Sequence, residues 1–269
     1  MLPAISSLKC SMLCWQRLTA MIRIDLQKTN ILSGDSLHQS SFYALYLPIP
    51  NRSDTAAAAA MQRQLSPAEL KKYRTLFRNP RRQQLILSGR FFAKWLAADW
   101  LTASGETEVL PRQLTVINRE NGAPCICGLP EAGQMQLSIS YAQETFLIGC
   151  AATGRIGVDL EDRIDPDSNL PSLVLSQQER DLMNSRMFGY DRAQTVLLLW
   201  CLKEAILKAV GLGFSRGYLP IEFHTDHTAL FLDDRQHVIP EGEQISCLYD
   251  INEQLCAVIC RIGKDTAHD

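Results

Sequence analysis

One short pattern opens a helix twice in this chain of 269 residues, at positions 110 apart. Leu65-Ser66-Pro67-Ala68-Glu69 and Leu175-Ser176-Gln177-Gln178-Glu179 are both capping boxes. In each, a serine side chain and a glutamate three residues on can satisfy each other's backbone N–H groups at a helix start. The apolar runs Phe146–Ala151 and Cys256–Arg261 keep the same offset, and Phe42–Leu47 has its counterpart near Ala152–Val158. Self-similarity at one fixed offset predicts a duplicated unit. The chain should therefore be α+β, a pseudo-dimer of two similar halves at 41–151 and 152–262. Each half is expected to be a small antiparallel sheet packed with a long helix, with the ligand cleft between them. Residues 1–40 are set aside as a poorly ordered N-terminal extension, with Met21 as a candidate alternative start, and 263–269 as a tail.

Within each half the order of elements can be read from periodicity and punctuation. The first box predicts a helix from Ser66 to about Phe77, which Asn79-Pro80 interrupts. A longer helix follows over about Arg81 to Ala103, with Leu85, Phe92, Trp95 and Leu96 at near-helical spacing. Ser53–Ala60 is Ala-rich and reads as a loop or a helix lead-in. Gln113–Asn118, Met135–Ser140 and Thr145–Ala151 read as strands, with a turn at Asn121-Gly122. In the second half, Ile156–Glu161 is a strand, and a long helix runs from about Arg192 to Val210 before Gly211. Short strands follow at Pro220–His224, Ala229–Leu232, Gln244–Tyr249 and Leu255–Ile262.

Composition narrows the function classes. Twenty-seven Lys and Arg stand against 29 Asp and Glu, a net charge of -2, which argues against nucleic-acid binding by bulk charge. No run approaches the ~20 apolar residues of a membrane span. Nine cysteines, odd in number, scattered and often inside apolar runs, suit free thiols in a reducing cytoplasm. Cys125-x-Cys127 and His224-x-x-His227 each lack the second pair that a zinc site would need.

Gly157-Val158-Asp159-Leu160-Glu161 carries the most chemistry. On a strand, Val158 and Leu160 can face a core while Asp159 and Glu161 share the other side. Such a pair is either a solvated strand end or a place where a cation neutralises repulsion. Glu204 and Lys208, four apart on the second long helix, share a face. They form either a surface ion pair or a third carboxylate with a lysine for a phosphate. Three carboxylates together would suit Mg²⁺, a hard ion with oxygen ligands.

Gly157–Asp162 (GVDLED) and Trp200–Gly211 (WCLKEAILKAVG) together resemble the signature of the Sfp-type 4'-phosphopantetheinyl transferases. That signature is a G-[IV]-D-[IVL]-E strand followed some forty residues on by W-x-x-K-E-x-x-x-K. Upstream, Glu120–Ile126 (ENGAPCI) resembles the family's G-K-P segment, Leu137–Ala142 (LSISYA) its S-x-S-H-S strand end, and Arg81–Lys94 its basic helix. The resemblance spans roughly residues 41–262 and implies a fold of two similar α+β halves.

It also implies a reaction. The 4'-phosphopantetheine arm of coenzyme A would pass to a serine of an apo acyl- or peptidyl-carrier protein, with 3',5'-ADP as the other product. The carriers of this family serve fatty-acid, polyketide or nonribosomal-peptide assembly. Asp159, Glu161 and Glu204 are implied Mg²⁺ ligands, and Glu204 and Lys208 the catalytic pair, Glu204 as acceptor of the serine proton. Arg82, Arg90, Lys94, Gly122, Pro124, Ser140, Tyr141, Lys203 and Lys208 are implied contacts of coenzyme A, the basic residues of the first half for its 3'-phosphate. A monomer with no nucleic-acid or membrane partner is expected.

Two positions depart from the family pattern. Ala123 stands where the family has lysine, and Tyr141 where it has histidine, so both remove cationic character from the expected coenzyme A site. They give weight to an alternative, a non-catalytic carrier-protein binding module, which the intact carboxylates oppose. A metal-dependent nuclease is the other alternative, and it lacks a basic groove beyond Asn79-Pro80-Arg81-Arg82.

Overall fold

The computed structural model describes residues 22–33, 36–39, 42–50, 54–75, 79–105, 108–165, 167–183, 189–212, 221–225, 229–234 and 236–264. In chain order they form β1 (Ile22–Lys28), β2 (Ser36–Gln39), β3 (Phe42–Pro48), α1 (Thr55–Gln62), α2 (Pro67–Thr75), α3 (Pro80–Ser104), β4 (Thr115–Asn118), β5 (Pro124–Cys127), β6 (Gln136–Ala142), β7 (Thr145–Ala151), β8 (Arg155–Asp162), α4 (Leu170–Val174), α5 (Gln177–Leu182), α6 (Arg192–Ala209), β9 (Ile221–Thr225), β10 (Leu230–Asp234), β11 (Gln244–Ile251) and β12 (Leu255–Gly263). The fold is α+β. Among the described residues no helix is long and apolar enough to cross a membrane.

The long helices begin where local chemistry starts them. Asn79 Oδ1 accepts the N–H of Arg82 at 3.0 Å, and Pro80 takes the first turn of α3, where its missing N–H costs nothing. Asp191 and Gln194 close a capping box at the start of α6. The two boxes singled out in the sequence open α2 and α5: Ser66 N donates to Glu69 Oε2 at 2.7 Å, and Ser176 N to Glu179 Oε2 at 2.8 Å.

Each box glutamate then does more. Glu69 takes the ammonium of Lys94, on α3, at 2.9 Å, and its other oxygen accepts the N–H of Val116, on β4, at 2.8 Å. Glu179 takes Lys203, on α6, at 2.6 Å and accepts the N–H of Phe223, on β9, at 2.8 Å. One buried carboxylate in each half thus joins a short helix, the long helix and an edge strand. With its hydrogen bonds filled, such a charge can sit out of water.

The two sheets repeat the correspondence. One runs β2-β3-β7-β6-β5-β4 and the other β8-β12-β11-β1-β10-β9. Without β2 at one edge and β1 inside the other, the orders β3-β7-β6-β5-β4 and β8-β12-β11-β10-β9 agree strand for strand. Setting aside all of residues 1–40 is corrected here for Ile22–Lys28. This strand lies parallel to β11, with Ile24 opposite Ile245, and antiparallel to β10, with Ile24 also opposite Leu230. β5 falls where only a turn was read, α1 where a loop or lead-in was, and a 3-10 turn at Pro111–Gln113 delays β4 to Thr115.

α3 covers the first sheet with Ala93, Leu96, Ala97 and Leu101, and α6 fills the second half with an almost wholly buried surface. Between the sheets, Phe42, Ala44 and Leu147 meet Ile156, Val158, Leu160 and Ile259. Gly149 permits that approach, because a Cβ there would come within 2.6 Å of Val158 Cγ1. The seven described cysteines are all free thiols.

Candidate active site

β8 has two buried faces. Ile156, Val158 and Leu160 enter the inter-sheet core, so the alternation of a strand turns Gly157, Asp159 and Glu161 towards α6. Gly157 sets the spacing. A Cβ on it would overlap the carbonyl oxygen of Ala205 and come within 2.5 Å of the backbone nitrogen of Ala209. The strand therefore lies against the main chain of α6, with Asp159 and Glu161 beside Glu204 and Lys208.

Asp159 is 1% exposed. Its Oδ1 accepts Lys208 Nζ at 2.5 Å and the hydroxyl of Ser140, on β6, at 3.0 Å. Lys208 Nζ also donates to Ser140 Oγ at 3.1 Å, which closes a triangle of carboxylate, ammonium and hydroxyl. Asp159 Oδ2 is buried and has no hydrogen-bond partner. Two residues back on β6, Ser138 Oγ accepts the N–H of Val158 at 2.9 Å and pins the β8 edge to the first sheet.

The charges are coupled. Burial disfavours the ammonium form of Lys208, but Asp159, Glu204 and Glu161 outweigh it and hold its pKa above the ordinary value. Burial, then the charges of Asp159, Glu204 and Asp162, push the Glu161 carboxyl up to about 8 against the opposing pull of Lys208. One lysine does not neutralise this group of carboxylates.

A divalent cation fits that deficit. The bare Oδ2 of Asp159 and the oxygens of Glu161 are hard donors in a partly dry place. The oxygens of Asp159, Glu161 and Glu204 do not all converge within 4.8 Å, so sharing one ion requires side-chain rotation.

Next to Lys208 opens a cleft of about 470 Å³ between the halves, lined among others by Arg119, Asn121, Pro124, Leu137, Arg155 and Lys208. Gly122 makes the β4–β5 turn with φ of +86°, a region that favours glycine. The turn is held at both ends: Asn118 Nδ2 donates to the carbonyl of Gly122 at 2.6 Å, and Asn121 Nδ2 to that of Gly211, beyond the end of α6, at 2.8 Å. Pro124 and Lys208 thus line this opening, with Gly122 in the turn beside Pro124 and the buried Ser140 behind Lys208.

The basic residues divide into two groups. Arg90 is buried, and its Nη2 donates to Asn118 Oδ1 at 2.7 Å, with Nε buried and unpartnered. Lys72 Nζ reaches the same oxygen at 2.7 Å. Partial burial and then the nearby charges of Arg90 and Arg82 lower the Lys72 pKa. Lys72 and Arg90 thus meet at one amide oxygen, with the charge of Arg82 near Lys72. Lys72 was missed in the sequence, since one of two adjacent helix lysines carries no sign of its partner 46 residues on.

Lys94 and Lys203 are the corrections. Lys94 is fully buried and bonded to Glu69 and to the carbonyl of Gln64. Lys203 is 1% exposed and bonded to Glu179 and to the carbonyl of Val174. Neither has an ammonium free for a phosphate, because each neutralises a capping glutamate. Arg82 is exposed in the first turn of α3. Tyr141 alternates to the face of β6 opposite Ser140; it is 54% exposed, with its ring edge-on to Phe146 at 6.3 Å. Ser140 therefore meets the carboxylates and Tyr141 does not.

Comparison with known proteins bears on the same elements. Residues 155–259, from β8 to β12, match the 4'-phosphopantetheinyl transferase superfamily. Over 170 residues the chain is 28% identical to a Synechocystis sp. protein provisionally named a 4'-phosphopantetheinyl transferase. That match covers 57% of this chain and 66% of the Synechocystis protein. The matched segment contains Gly157, Asp159, Glu161, Glu204 and Lys208, the residues that the packing of β8 on α6 brings together, so the likeness to the 4'-phosphopantetheinyl transferase superfamily falls on the elements that build the site.

Proposed function

We propose that the chain transfers 4'-phosphopantetheine from coenzyme A to a serine of an apo acyl- or peptidyl-carrier protein, releasing 3',5'-ADP. The observation that carries this reading is the triangle of Asp159, Lys208 and Ser140 at the edge of the cleft, inside the segment that matches the superfamily. Lys72 and Arg90, tied to the β4–β5 turn through Asn118, and the nearby Arg82 would receive the 3'-phosphate. A molecule with a diphosphate at one end of the cleft and a 3'-phosphate near the other is of the right kind. The repeated strand order and the repeated glutamate–lysine pair support reading the two halves as a pseudo-dimer. The described free thiols suit a reducing cytoplasm, where the protein would act as a monomer.

The residues have separate tasks in this reading. Asp159, Glu161 and Glu204 would hold Mg²⁺, which supplies positive charge beside the transferring phosphoryl group. Lys208 is fixed by Asp159 and Ser140 with its charge favoured, so it meets phosphate oxygens without reorganising. Ser140 keeps the ammonium aimed. Glu204, 3% exposed and on the same helix face as Lys208, accepts the proton of the carrier serine as that oxygen attacks the β-phosphorus. The P–O bond to 3',5'-ADP breaks in the same displacement.

The test is to incubate apo carrier proteins with coenzyme A, Mg²⁺ and the enzyme and to read intact carrier mass and 3',5'-ADP together. Equal amounts of loaded carrier and 3',5'-ADP are expected. Carrier binding without either product would instead favour the non-catalytic module.

A further inference from the structure

The second half holds another cluster of ligating groups, at the opposite edge of its sheet from β8. Five strand spacings separate β8 from β9, roughly 24 Å. Glu222 and His224 are two apart on β9 and share a face, and Asp233 lies directly opposite Glu222 on β10. One ligand atom from each falls within 4.8 Å of the others, the one such trio among the described residues. His224 Nε2 is 3.9 Å from Glu222 Oε2 and 4.0 Å from Asp233 Oδ2. Two carboxylates facing each other across a ladder repel, and Glu222 is buried.

The imidazole is oriented from behind. Gln178, in the first turn of α5, holds His224 Nδ1 at 2.8 Å. The Gln178 atom placed there is Nε2, and turning the amide over puts its oxygen against Nδ1, where it would accept Nδ1–H and leave the Nε2 lone pair for a metal beside the carboxylates. Nε2 itself is buried and makes no hydrogen bond. An imidazole held by its second nitrogen is the usual support of a metal-bound histidine. The sequence offered only His224-x-x-His227 and no second pair. The partners come instead from the strand pairing, and His227 lies outside the described residues.

We propose that Glu222, His224 and Asp233 bind a divalent transition ion of the zinc class, apart from the carboxylates of β8 and α6. One imidazole and two carboxylate oxygens suit such an ion better than Mg²⁺, which takes oxygen alone. At usual bond lengths, ligands around a tetrahedral ion stand roughly 3.3 Å apart, so the side chains need to close by roughly 0.6 Å. An ion here would tie β9, β10 and, through Gln178, α5 together.

The experiment titrates metal-stripped full-length protein with Co²⁺ in excess Mg²⁺, follows the visible absorption of bound Co²⁺, and displaces it with Zn²⁺. One equivalent is expected. His224→Asn and Asp233→Asn should each abolish it, Gln178→Ala should weaken it about tenfold, and Asp159→Asn should leave it unchanged. X-ray absorption of the Zn²⁺-loaded wild type needs no variant to fold, and should show one imidazole with oxygen ligands and no sulfur. Absence of stoichiometric binding, sulfur ligands from Cys125 and Cys127, or loss of binding in Asp159→Asn would each overturn the proposal.

Discussion

Two lysines five residues apart on α6 have opposite fates, and the difference is one of helix face. Lys203 turns to Glu179 and is sealed inside, whereas Lys208 turns to Asp159 at the edge of the cleft. Removing Lys203 leaves a buried carboxylate unpaired, which costs about 3–5 kcal/mol. Lys203→Met should therefore lower the melting temperature strongly, while the fraction that stays folded keeps its affinity for coenzyme A. Lys208→Met should do the reverse, with a small change in melting and a large loss of coenzyme A binding. Calorimetry of unfolding and of ligand titration on both variants checks this, and a binding defect in folded Lys203→Met would be inconsistent with it. Read from sequence, both lysines belong to one motif and looked alike, since the carboxylate that claims Lys203 lies 24 residues away and meets it only after folding. Asp159, Glu161 and Glu204 were legible because strand and helix periodicity put them on facing surfaces. Tyr141 was read together with Ser140 as a coenzyme A contact, and the same alternation that turns Asp159 to α6 puts those two on opposite faces of β6.

At the scale of elements, the contact of β8 with α6 makes the site. It depends on a main chain lying against a main chain at Gly157. Gly157→Ala forces a methyl group into the Ala205 carbonyl, and the loss should reach about 3 kcal/mol, the upper part of the overpacking range, because backbone cannot give way as a side chain can. Denaturant unfolding measures it, and a variant of wild-type stability would show that β8 and α6 have room between them. The capping boxes could be read from sequence because their partners are three residues apart. The second use of each glutamate, on a lysine and a strand N–H, could not, since those partners lie 24 to 47 residues away. β5 was hidden for a similar reason: four residues after a turn carry too little alternation to announce a strand.

For the whole molecule, the N-terminal strand is the unexpected member. Ile22, Ile24 and Leu26 alternate with Arg23, Asp25 and Gln27, a pattern that was available but too close to the chain start to be given weight. β1 is the bridge between β11 and β10, so the order in the second sheet depends on it. Deleting residues 1–28 should detach the β9–β10 pair from β11 and raise its amide exchange, with the first sheet still protected; unchanged protection of β9 and β10 would contradict that role. Thiol labelling probes the same architecture. Cys150, whose pKa burial raises to about 12, and the buried Cys201, Cys247, Cys256 and Cys260 should resist iodoacetamide in the native state. Among the described cysteines, Cys125, half-buried on β5, should react first, as peptide mass spectrometry would show.

Asp159 joins β8, α6 and β6 at one charged point beside the cleft. The most direct test of that role is carrier loading by wild type and by Asp159→Asn, measured as intact carrier mass with coenzyme A and Mg²⁺, alongside circular dichroism of both proteins. The wild type is predicted to load the carrier, and the variant to keep its fold and lose loading by at least a hundredfold, about 2.7 kcal/mol of transition-state stabilisation. A folded Asp159→Asn protein that loads carrier at the wild-type rate would contradict it.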